Sequence, residues 1–202
     1  MSVVYKLRRI IRRYSILVIC SSMLCSCVLS ASYVHDIDST PYGVDFGHGT
    51  WVLNDLDVPF TLKDKLTKLV RKELSKHLKD SLLTPRGIKN IALPYVPINP
   101  DTLMLNRLKN TVKHHYFINI RGRVVKNEML SFAIENADIN NMNITETILQ
   151  IYDLNSLETI YSRRVIAKVK MTEDEDDNFY FVKDVNGMIV KSLKKILKKL
   201  KK

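Results

Sequence analysis

Three cysteines, a histidine pair, a run of acids and clusters of lysine are the residues of this 202-residue chain whose types could support chemistry. Cys20, Cys25 and Cys27 all lie in the first 27 positions, and no cysteine follows. The remaining chain therefore has neither a thiol nucleophile nor a disulfide framework. His114 and His115 are adjacent, so their side chains are expected to point apart. A metal would need a third and fourth ligand beside them. His48, within Gly47-His48-Gly49, is expected in a loop without a role in chemistry. The acids Glu173-Asp-Glu-Asp-Asp177 lack the glycine and the terminal glutamate spacing of an EF-hand loop, and a solvated loop is expected. Neither a Gly-x-Ser-x-Gly elbow nor a glycine-rich phosphate loop occurs. No cofactor and no metal are expected.

The formal charge of +11 suggests a basic, nucleic-acid-binding chain until its distribution is read. Residues 1–26 hold Lys6, Arg8, Arg9, Arg12 and Arg13 without an acid, and residues 191–202 hold seven lysines without an acid. The stretch between is near neutral. The lysines are not interleaved with aromatics, so nucleic acid is disfavoured as a partner.

The first cationic block precedes twelve largely apolar residues, Tyr14–Cys25. That is too short for a transmembrane helix, which needs about 20, and has the length and flanks of a signal peptide. Leu24-Cys25-Ser26-Cys27 resembles the lipobox of bacterial lipoproteins, with leucine three residues before cleavage and a small residue just before the cysteine. The resemblance implies removal of residues 1–26 and acylation of Cys27. Such acyl chains bind a bilayer with about 0.8 kcal/mol per buried CH₂. Val28 and Leu29 follow, with no Asp, and by resemblance to known sorting rules this favours the outer membrane with the domain facing the periplasm.

Residues 27–49 read as the lipidated cysteine and a flexible tether, since Ser, Thr, Pro41, Gly43, Gly47 and Gly49 interrupt any period. Some 20 extended residues reach about 70 Å, enough to hold a domain away from the membrane. Residues 50–202 read as one α/β domain.

Thr50–Asn54 is expected as the first strand and Thr61–Lys79 as a helix, with Thr61 and Asp64 as a capping box. Leu62, Leu66, Leu69, Val70, Leu74 and Leu78 form its apolar stripe. Ile88–Val96 reads as a short extended segment. Asp101 or Thr102 caps a second helix that turns Leu105, Leu108 and Val112 inward. His115–Val125, Ile144–Leu154 and Thr159–Met171 read as strands, the last two as a hairpin. A C-terminal amphipathic helix starts near Val182, with Val185, Ile189, Leu193, Ile196, Leu197 and Leu200 as its apolar residues. The expected architecture is a mixed sheet with helices on one or both faces.

This order of elements, with the strand segment Tyr116-Phe-Ile-Asn-Ile-Arg-Gly-Arg-Val124 and the hairpin from Ile148 to Ser162, resembles a group of periplasmic lipoproteins with a fold like the N-terminal domain of TolB. The penicillin-binding-protein activator LpoB belongs to that group and the curli secretion lipoprotein CsgG does so more distantly. The resemblance spans roughly residues 50–200 and carries no catalytic motif. It implies an accessory module of the cell envelope with membrane lipid and an envelope protein as partners. An oligomeric secretion-type lipoprotein is the second expectation, and a hydrolase with convergent carboxylates or histidines the third. Trp51, Asn54, Asp55 and Asp57, at the end of the first strand, form a candidate binding patch. Lys194, Lys195, Lys198 and Lys199 are candidates for contact with anionic headgroups or an acidic partner, on a helix expected to dock on the sheet.

Overall fold

The computed structural model describes residues 31–35, 39–84, 93, 95–128, 132–133, 142–170, 180–181 and 183–200. Cys20, Cys25, Cys27, most of the 88–96 segment and the acidic run 173–177 lie outside the described residues. The strands are β1 (Ser32–His35), β2 (Trp51–Leu53), β3 (Leu82–Leu83), β4 (Tyr116–Asn127), β5 (Phe132–Ala133), β6 (Met142–Asp153), β7 (Glu158–Lys170) and β8 (Tyr180–Phe181). The helices are α1 (Phe60–Leu78), α2 (Thr102–Val112) and α3 (Val185–Lys198). Six strands form one mixed sheet in the order β1-β7-β6-β4-β2-β3, and β5 pairs with β8 in a separate two-stranded sheet.

β2 pairs in parallel with both β3 and β4, so the chain leaves β2 in one direction across the sheet and returns past it in the other. Right-handed crossovers in opposite directions put their helices on opposite faces. Accordingly, α1 packs with α3 over Leu53, Ile118, Ile120, Leu149 and Ile151. α2 packs instead over Val52, Phe117 and Tyr152. The result is a mixed sheet with helices on both faces, one of the two arrangements that the order of elements leaves open.

α1 buries Leu62, Leu66, Val70, Leu74 and Leu78, five of the six stripe positions, while Leu69 is only half-buried at the margin of the core. It begins one residue before the expected start, at Phe60, behind Pro59, and no side chain caps it. The expected Thr61–Asp64 box therefore does not form, because Thr61 already lies in the first turn. α2 is capped by Asp101, whose carboxylate accepts from Met104 N at 2.7 Å. The β6–β7 hairpin closes through an Asx turn in which Asp153 accepts from Asn155 N at 2.7 Å, and Leu157 takes a positive φ of 60°.

The expected tether requires correction. Ser32–His35 pair antiparallel with Lys168–Val165 of β7. Thr40 N donates to Ser162 O at 2.8 Å, and Val44 N donates to Leu200 O at 3.0 Å. The polar composition of this segment was misleading because its backbone, not its side chains, satisfies the exposed edge of β7. Phe46 also belongs to the core, with its ring 5.1 Å from Trp51 and stacked on His77 at 5.3 Å. Gly49 fits this entry, at φ 81°, where a Cβ would stand 2.7 Å from the Tyr116 ring.

Candidate functional site

Side chains paired across strands share a face, so the register sorts the polar residues of the sheet. On the face carrying α2, Asn119, Gln150 and Ser162 form one row, and Arg121, Ile148 and Arg164 form the next. Arg123, Glu146 and Ile166 form a third. α2 covers the Phe117–Tyr152 end of this face. The rows beyond it are mostly polar, with Ile148 and Ile166 among them.

The amide row holds a loop. Buried Asn119 donates from Nδ2 to Val96 O at 3.0 Å and Pro97 O at 3.2 Å, and accepts from Asn54 Nδ2 at 3.2 Å. Gln150 accepts at Oε1 from Asn99 N at 3.0 Å and from Tyr152 OH at 2.7 Å. Its Nε2 donates to Asn99 Oδ1 and to Ser162 Oγ, the latter at 3.2 Å. Residues 96–99 thereby cross the sheet on fixed partners. Burial pushes the Tyr152 phenol up to about 12, so this hydroxyl stays a donor.

Arg121 Nε donates to Asp57 Oδ2 at 2.8 Å, and its guanidinium also reaches the Tyr95 hydroxyl. The buried carboxylate of Glu146 accepts from Arg123 Nε at 2.6 Å, with Arg164 Nε at 3.5 Å from its second oxygen. Ser39, Asn99, Ile148, Gln150, Thr159, Ser162 and Arg164 line an open cleft of about 230 Å³. Its polar lining consists of hydroxyls, amides and one guanidinium, groups that read hydroxyls and carboxylates through hydrogen bonds.

The proposed patch is divided by this geometry. Asn54 and Asp57 join the polar face through Asn119 and Arg121. Trp51 is fully buried on the opposite face, stacked on Tyr116 at 4.2 Å, with its Nε1 donating to His48 O at 3.2 Å. Asp55 is exposed and lies 3.7 Å from Lys63 of α1. Alternation from Trp51 turns Val52 and Asn54 to the other face, whereas Asp57 reaches it from beyond the strand, through its bridge to Arg121. The cleft residues had no sequence signal, because Gln150 and Ser162 are isolated polar positions within strand patterns.

The histidines also depart from expectation. His114 Nδ1 and His115 Nδ1 do not point apart but converge on Thr50 Oγ1, at 3.1 and 3.0 Å. Thr50 N donates to His115 Nδ1 at 3.2 Å. Adjacent residues can converge here because they straddle the turn between α2 and β4, after Lys113 in the left-handed region, where strand alternation does not apply. Lys109, Asn110, Lys113, both histidines and Asn155 line a pocket of about 310 Å³. Desolvation, then the neighbouring His115, lowers the His114 pKa. Among the described residues no group of three or more His, Cys, Asp or Glu gathers as metal ligands.

The candidate lysines lie on the solvent side of α3, whose other side buries Met188, Ile189, Ser192, Leu193, Ile196 and Leu197. Lys194, Lys198 and Lys199 are exposed, and Lys195 is half-buried. Gly122 of β4 admits the helix: a Cβ there would meet Ile189 Cγ2 at 2.8 Å. α1 lies beside α3 on the same face and adds six cations against two acids.

No known protein family matches the chain. No curated protein matches it either. Among solved structures, it is similar to the PelC dodecamer from Paraburkholderia phytofirmans, with 7% identity and a TM-score of 0.43, covering 85% of this chain and 98% of that one. A homologue of a neuraminyllactose-binding hemagglutinin from Helicobacter pylori gives 15% identity and a TM-score of 0.42, covering 83% and 92%. Lipoprotein GNA1162 from Neisseria meningitidis gives 8% and 0.36, covering 74% and 98%.

Proposed function

We propose that this chain is an acylated lipoprotein of the bacterial cell envelope that acts as a non-enzymatic binding or accessory module. The observation that carries the reading is the order of the first 27 residues: five cations, a short apolar stretch, then Leu24-Cys25-Ser26-Cys27. Cys27 is the acylated residue, and the absence of an Asp after it supports an outer-membrane, periplasm-facing position. The polar half-face of the sheet supports a binding role: its side chains stand on strands and are fixed by one another, as a preorganised recognition surface requires. Asn54, Asp57, Arg121, Arg164 and the cleft beside Gln150 are the groups offered to an envelope protein or polar ligand.

Membrane fractionation of the Cys27→Ala variant tests the anchor. The variant is expected in the soluble fraction, and continued membrane retention overturns acylation at that residue. Cross-linking in the native envelope tests the second half of the reading. A partner cross-linked through the Asn54–Arg121 face is expected, and its persistence after Arg121→Ala and Arg164→Ala would move the binding surface elsewhere.

A further inference from the structure

We infer that α3 and β1 together form a docking face for an anionic lipid leaflet, so that the domain lies against its membrane rather than standing away from it. This deepens the lipoprotein reading and rests on acylation of Cys27. Only residues 28–31 separate Cys27 from Ser32, where the chain enters the sheet. Five residue steps span at most about 17 Å, against the 70 Å of a free tether. The surface nearest this entry is cationic. Lys191 and Lys195 of α3 place their Nζ atoms 4.9 and 4.6 Å from the centroid of the Tyr33 ring on β1. Lys183 lies beside Lys191, close enough for the two charges to oppose each other. Lys194 and Lys198 continue the same helix outward, and α3 carries no acid from Val185 to Lys198.

Charge complementarity selects the occupant. A lysine gains from an anionic leaflet only within a Debye length of it, about 8 Å at physiological ionic strength. A long tether would leave these lysines screened for most of the time. A link of this length keeps them near the headgroups and makes docking an intramolecular event at high effective concentration. The face holding the Asn54–Arg121 cleft then turns away from the bilayer, since it lies on the other side of the sheet from α3.

The test uses the full chain, matured in cells and reconstituted into vesicles of phosphatidylethanolamine with phosphatidylglycerol, or of phosphatidylcholine alone. Amine-reactive labelling is then read residue by residue. Lys191, Lys194, Lys195 and Lys198 are expected to label severalfold more slowly on the anionic vesicles, while Lys109 and Lys113 label equally on both. A flexible Gly-Ser insert of about 20 residues after Leu29 is expected to remove most of that protection without releasing the protein. Equal labelling of the α3 lysines on both vesicles, with Cys27 acylated by mass, overturns the docking and leaves the lipoprotein reading standing. An unmodified Cys27 overturns both.

Discussion

On one face of the sheet, α1 and α3 press leucines and isoleucines onto Leu53, Ile118, Ile120, Leu149 and Ile151. On the other, α2 does the same only over Val52, Phe117 and Tyr152, and beyond it amides and ion pairs take over. The first face derives its stability from apolar area, roughly 25 cal/mol per Å² buried. The second derives its order from hydrogen bonds, each worth about 1 kcal/mol net but costly when one partner is lost. An apolar face can be repacked by residues of similar volume, whereas an amide row specifies its partners by direction. That difference is why the second face is the one proposed for recognition.

The comparison can be broken at its apolar end. Leu193, fully buried in α3, is expected to cost about 2–5 kcal/mol on substitution by Ala, through lost transfer energy and the cavity left behind. Urea unfolding measures this. A loss below 1 kcal/mol would mean that α3 is not part of the cooperative core. Asn119→Ala should cost less, about 1–3 kcal/mol, because it strands the carbonyls of Val96 and Pro97. Its distinguishing mark is local: hydrogen exchange and proteolysis should accelerate at residues 95–100 while α1 and α3 keep their protection. Uniform acceleration would mean that the amide row supports the whole fold rather than this one loop.

The apolar face was legible in the sequence because its period is carried by side chains. Leu62, Leu66, Val70, Leu74 and Leu78 announce α1, and Tyr161, Val165, Ala167 and Val169 announce the inward side of β7. The polar face was not legible, because Asn119, Gln150 and Ser162 acquire meaning only when three strands align them in register. β1 escaped for a related reason. Four residues among Ser, Asp and Thr carry little pattern, and what makes them a strand is the unpaired edge of β7, which is distant in sequence. Convergence of the two histidines on Thr50 depends on a loop 64 and 65 residues away.

The apolar face also buries hydroxyls, and removing one of them should have the opposite sign to the first two changes. Ser192 Oγ is fully buried in α3 without a hydrogen-bond partner, as are Thr145 Oγ1 and Thr147 Oγ1 on β6. A buried hydroxyl that finds no partner pays desolvation without return. Ser192→Ala deletes that atom and keeps a small side chain, so stability should be unchanged or rise by up to about 1 kcal/mol. A loss greater than that would show that Ser192 has a hydrogen-bonding role on this face.

The smallest expected effect lies where the chain enters β4. The His114 pKa is lowered from 6.5 by desolvation and by His115, in a pocket that also holds Lys109 and Lys113. The unfolded chain therefore binds a proton at a pH where the folded chain still resists it. Above about pH 6.5 the ring is neutral in both states and contributes no pH dependence. As pH falls from there towards the depressed folded value, unfolding takes up a proton, and stability declines with a slope that ends once both states are protonated. Because His114 remains partly solvated, the change is modest, and His114→Gln should flatten the stability profile below pH 6.5 relative to the parent chain. Identical slopes in the two proteins would mean that another group sets the acid dependence and that the Thr50–histidine cluster is not its source.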